Sequence, residues 1–113
     1  GATQVSANSA DSIAAGTREL ISEILRSNGI SADEVISILF TASPDLNATF
    51  PAAAVRNLGF EGTPLICAVE IDVPGALERT IRVMAHVEIE RSKEEINHIY
   101  LHGAKALRRD IAQ

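Results

Sequence analysis

Between Arg79 and Glu90 the apolar residues Ile81, Val83, Ala85, Val87 and Ile89 fall at every second position. That period predicts a half-buried β-strand with those five residues on its core face. Arg82, Met84, His86, Glu88 and Glu90 then share the opposite face. An arginine on a rigid strand is a permanently charged fork of donors, suited to a carboxylate or an ether oxygen.

The rest of the chain reads with equal economy. Gly1–Val5 is the tail of a strand. Ser9 is a helix N-cap with Asp11 in the first turn, and Ile13, Leu20, Ile21, Ile24 and Leu25 recur at helical spacing until Asn28-Gly29 stops the helix. Gly16 inside it costs about 1 kcal/mol against alanine, and marks either close packing or no constraint. Ser31 and Glu34 form a capping box, and Val35–Thr41 reads as a buried strand. Ser43–Asn47 is a loop, Phe50-Pro51 opens an alanine-rich helix over Ala52–Leu58, and Thr63–Glu70 is a third strand. Pro74-Gly75 turns into a short amphipathic stretch ahead of the long strand. Ser92 and Glu95 cap a brief turn, Ile96–Leu101 is a short strand, and Ala104–Arg109 an exposed helix. This order predicts one α/β (α+β) domain over residues 1–113, a mixed β-sheet with helices packed on one face.

With 113 residues and 46% of them apolar, the chain supports a modest core but has little means of enclosing a ligand alone. Cavities in such chains often lie between subunits. A net charge of −5 argues against nucleic acid or an anionic membrane as partner. No run approaches membrane-spanning length and no signal-peptide pattern is visible, so the expectation is a soluble, cytoplasmic protein. The single cysteine, Cys67, allows no intrachain disulfide. His98 and His102 are four apart, but the intervening strand pattern separates their rings, and no metal site is expected.

Four segments hold candidate chemistry: Phe50–Arg56, Cys67–Glu70, Arg82, and Tyr100 with Leu107-Arg108. Each alone fits a structural role, Phe50 and Tyr100 as packing, Arg56 and Glu70 as solvated charges. Their order and spacing, however, resemble a known family. The resembling runs are Gly1-Ala-Thr, Thr41-Ala-Ser-Pro-Asp-Leu-Asn-Ala-Thr-Phe-Pro-Ala52, Ala54-Val-Arg56, Pro64-Leu-Ile-Cys67, Ile81-Arg-Val-Met84, His98-Ile-Tyr-Leu101 and Leu107-Arg108. They cover essentially the whole chain and are similar to the monofunctional chorismate mutases of the AroH class, the type found in Bacillus.

The resemblance implies a homotrimer built as a pseudo-α/β-barrel, with sites in clefts between subunits. It implies conversion of chorismate to prephenate, a Claisen rearrangement on the route to phenylalanine and tyrosine, without cofactor or metal. It assigns Arg82 to the substrate's ether oxygen and a carboxylate. Glu70 and Cys67 fall near the substrate hydroxyl, and Tyr100 at a carboxylate. Phe50, Ala52 and Arg56 match a wall from the adjacent subunit, and Leu107 with Arg108 a mobile C-terminal flap. Two positions depart from the pattern. The family has an arginine immediately before the position of Gly1, within a first strand incomplete here, and relatives can carry lysine where this chain has Ala53. The alternative is a non-catalytic trimeric small-molecule-binding module that retains the pocket. A hydrolytic imine deaminase on a similar trimeric scaffold is a weaker analogy.

Overall fold

The computed structural model describes residues 1–111. Ala112 and Gln113, the end of the expected flap, lie outside the described residues. Four strands form one sheet: β1 (Ala2–Gln4), β2 (Val35–Ala42), β3 (Leu65–Val69) and β4 (Thr80–Val87), in the order β1-β4-β2-β3. β4 runs antiparallel to both of its neighbours, whereas β2 and β3 are parallel. The sheet is therefore mixed.

Local chemistry sets the one long helix, α1 (Ala10–Asn28). Ser9 caps its start by accepting from the Ser12 N–H at 3.1 Å, and Gly29 ends it in the left-handed conformation at φ 59°. Ile13, Leu20 and Ile21 face the sheet and are buried. Beneath them lie Ile38 and Phe40 of β2 with Ile81 and Val83 of β4. Phe40 and Phe60 are both fully enclosed, worth about 2–3 kcal/mol each by area. Gly16 does mark close packing, since a Cβ there would sit 2.4 Å from Val5 Cγ1.

Three expectations change. Ala52–Leu58 is not an α-helix: a 3₁₀ turn covers Pro51–Ala54, and irregular turns follow to Gly59 at φ 99°. The Ala54 carbonyl, which an α-helix would offer to Leu58, accepts from Arg18 Nε at 3.1 Å, while Leu58 N–H bonds Val55 instead. A helix this short has little cooperativity with which to resist such competition. The C-terminal stretch is also 3₁₀ (His102–Leu107), and it is docked rather than exposed at Ala104, which is fully buried against Ala2 and Tyr100.

The segment before it, Ile96–Leu101, is not the strand expected: it lies beside β1 only through isolated bridging, Ala2 to Tyr100 in parallel. Ala2 N–H donates to Ile99 and Leu101 N–H to Ala2, both at 2.9 Å. Asn28 at the end of α1 reinforces this placement. Its side-chain amide pairs with both the N–H and the C=O of Asn97, at 2.8 and 3.0 Å, as a neighbouring strand would. Tyr100 thus arrives on the same side of the sheet as Arg82, the side away from α1.

Candidate active site

Cross-strand register decides which side chains meet. Arg82 lies opposite Thr41 of β2, and Thr41 lies opposite Ala68 of β3, so these share the face turned away from α1. Glu70, just past β3, belongs to that face too, since its Oε2 accepts a short hydrogen bond from Thr41 Oγ1. Its backbone N–H donates to Ala42 at 2.9 Å, which fixes where the side chain begins.

Arg82 and Glu70 both line two adjoining cavities of about 480 and 320 Å³. The larger adds Thr41, Met84, Tyr100 and Arg108; the smaller adds Leu107 and the Glu70–Glu78 loop. The guanidinium of Arg82 is half-buried, and among the described residues it forms no hydrogen bond or ion pair. A fixed cation in a half-buried cleft with every donor free is able to receive a ligand anion.

Tyr100 is 5% exposed and packs on Ala2, Ala104 and Leu107. Arg108 beside it is committed elsewhere, with Nε and Nη2 reaching both carboxylate oxygens of Asp110 at 3.0 and 2.9 Å. That pairing raises the Arg108 pKa above the usual arginine value, with Tyr100 adding to it, and lowers the Asp110 carboxyl.

The remaining residues singled out by sequence lie elsewhere within the chain. Cys67 pairs in register with Phe40, so its side chain points to the core face, opposite Glu70. Ala52 is buried on that same core side, while Phe50 is 71% exposed and Arg56 is exposed. One chain therefore carries two separate sets: Arg82, Glu70, Tyr100, Leu107 and Arg108 around the cavities, and Phe50, Ala52, Arg56 and Cys67 away from them. Thr41, whose hydroxyl bonds Glu70, is a cavity residue that sequence reasoning passed over. A polar side chain ending an otherwise buried strand, at the head of a motif run, was its only signal.

Residues 1–111 match the family model for type I chorismate mutases, and the chain belongs to that family. It is 38% identical over 113 residues to the chorismate mutase AroH of Bacillus subtilis, covering 99% of this chain and 89% of that one. The corresponding AroH of Thermus thermophilus is 39% identical over 112 residues, covering 98% and 92%. Among solved structures, a chorismate mutase from Clostridium thermocellum superposes with a TM-score of 0.90 at 52% identity, covering 93% of this chain and 94% of its own. The mixed-sheet α+β fold expected from the sequence is the fold found.

Proposed function

We propose that this chain catalyses the rearrangement of chorismate to prephenate in aromatic amino acid biosynthesis, with Arg82 as the main source of electrostatic stabilisation. One observation carries the reading. Arg82 is half-buried, held on a central strand, unpaired, and open to the same cavity as Glu70 and Tyr100. Family membership supplies the reaction.

The chemistry makes modest demands. Breaking of the C–O bond runs ahead of C–C bond formation, so negative charge grows on the ether oxygen and positive charge on the ring. No proton is transferred and no nucleophile is needed. The protein has to hold the compact conformer and set a fixed cation beside the growing oxyanion. Arg82 supplies that cation and cannot lose its charge. Glu70 accepts from the substrate hydroxyl and offsets the ring's positive charge. Tyr100 and Arg108 hold a carboxylate, with Leu107 covering the mouth. Gly1 lines the cavity, so an arginine joined to its amine, as in the family pattern, would enter the same space.

The second set of residues finds its use across a subunit boundary. In a homotrimer, Phe50, Ala52, Arg56 and the Cys67 strand of one copy form the far wall of the Arg82 cavity of the next. Ile66, Val69, Ile71, Val73 and Met84 are all more than half exposed, large apolar side chains that a neighbouring subunit would cover. Among the described residues no helix is long and apolar enough to cross a membrane, and the expected location is the cytoplasm.

The test is loss of chorismate absorbance with matching appearance of prephenate on mixing with purified protein, run alongside light scattering. Turnover by a trimer supports the reading. No turnover, or full turnover by a stable monomer, contradicts the activity or the shared site respectively.

A further inference from the structure

Arg82 on β4 and Glu70 after β3 are opposite charges in one cavity, yet they form no ion pair. Distance does not prevent it. Their strands are two spacings apart, about 10 Å, which the extended arginine and glutamate side chains together can span. What stands between them is Thr41. It is the register partner of Arg82 on one side, and on the other its hydroxyl donates to Glu70 Oε2.

We propose that Thr41 is a positioning residue that holds the Glu70 carboxylate on the β3 side of the cavity and thereby keeps Arg82 unpaired for the substrate. This rests on the reading that Arg82 stabilises the ether oxygen. With Oε2 engaged by Thr41, Oε1 is left to accept from a ligand hydroxyl. Without the Thr41 hydroxyl, the carboxylate is free to rotate toward Arg82, which forms no ion pair among the described residues. An Arg82 so paired would have to give up that partner before it could serve a developing oxyanion. The loss therefore falls on the transition state more than on substrate binding. Threonine suits the post because a β-branched residue on a strand has few side-chain rotamers, so its hydroxyl direction is set by the backbone.

The experiment is steady-state kinetics on chorismate with Thr41→Val, Thr41→Ser, Glu70→Gln and the double variant Thr41→Val/Glu70→Gln, with thermal unfolding as a fold control. Thr41→Val matches threonine in shape and is partly exposed, so folding should survive. The expected result is a fall in kcat of about 10-fold or more for Thr41→Val, with KM changed far less. Thr41→Ser should stay within roughly 3-fold of the natural protein, because it keeps the donor. In the Glu70→Gln background, Thr41→Val should change kcat by less than about 2-fold, because no carboxylate remains to capture Arg82.

An unchanged kcat in Thr41→Val overturns the proposal. So does an equal loss in both backgrounds, or a Thr41→Ser as damaged as Thr41→Val. Full activity in Arg82→Lys would remove the site reading and the proposal with it. That outcome is distinguishable because Arg82→Lys leaves Thr41 and Glu70 intact.

Discussion

Replacing Gly16 by alanine in the middle of α1 sets two effects of known size against each other. Helix propensity alone favours alanine by about 1 kcal/mol. Against that, the new Cβ would stand 2.4 Å from Val5 Cγ1, with Val5 Cβ and Thr3 Cγ2 both at 3.8 Å. Carbon atoms pack at about 3.5–4.0 Å, so the overlap with Cγ1 exceeds 1 Å. Val5 has nowhere to turn. It is 7% exposed, clustered with Ile13, Ala42, Leu46 and Ile81, and stiff about χ1. Relief therefore requires α1 and β1 to move apart, and overpacking of this kind costs about 1–3 kcal/mol. The net expectation is destabilisation by about 1 kcal/mol, or a melting temperature lower by roughly 4 °C. Thermal unfolding in two backgrounds reads it. In the natural protein Gly16→Ala should destabilise, whereas in Val5→Ala, where Cγ1 is gone, the same change should stabilise. A higher melting temperature in the natural background, or the same shift in both, refutes the packing argument. Function is tied to the outcome, since Ala2 of β1 is the register partner of Arg82.

Two other expectations follow from ion pairs and caps. The Asp45 carboxyl is held below the usual carboxylate value, first by the Ser43 hydroxyl at 2.5 Å and also by the Arg79 N–H at 2.9 Å. A folded pKa below the unfolded one contributes stability above about pH 4 that is lost as pH falls through the folded value. Asp45→Asn should thus be less stable near neutrality and converge with the natural protein below about pH 4, as acid unfolding curves would show. Arg108 is tied to Asp110, so Asp110→Asn should free it for substrate and lower KM for chorismate about 2- to 3-fold at unchanged kcat. A raised KM would mean that the pair instead holds the flap in place.

Where chemistry is local, the sequence was legible. The alternation over Ile81–Ile89 named the buried face of β4 because one side of a sheet is core and a strand repeats every second residue. Ser9, Gly29 and the Ser31–Glu34 and Ser92–Glu95 boxes were readable because a cap is decided within a few residues. Ala52–Leu58 was not, since a hydrogen bond from Arg18 on a distant helix helps settle its form. Cys67 on β3 and Glu70 just past its end are three apart, and that odd spacing places their side chains on opposite faces. The family resemblance set them near one substrate hydroxyl, and only the strand parity shows that a single chain cannot present both side chains to one cavity. Thr41 escaped notice for a different reason. Its link to Glu70 depends on β2 and β3 being parallel neighbours in a particular register, which no run of residues declares.

The charge of Arg82 is the centre of the functional reading, and Arg82→citrulline tests it most directly. Citrulline keeps the length, planarity and most donors of arginine but removes the positive charge. The measurement is kcat for chorismate at saturating substrate, beside the melting temperature of the same preparation. The expected result is a loss of about 10²–10³-fold or more, the scale of removing one oxyanion donor, in a protein that melts close to the natural one. Turnover within a few-fold of the natural protein in a well-folded Arg82→citrulline would contradict it, and with it the assignment of Arg82 to the developing oxyanion.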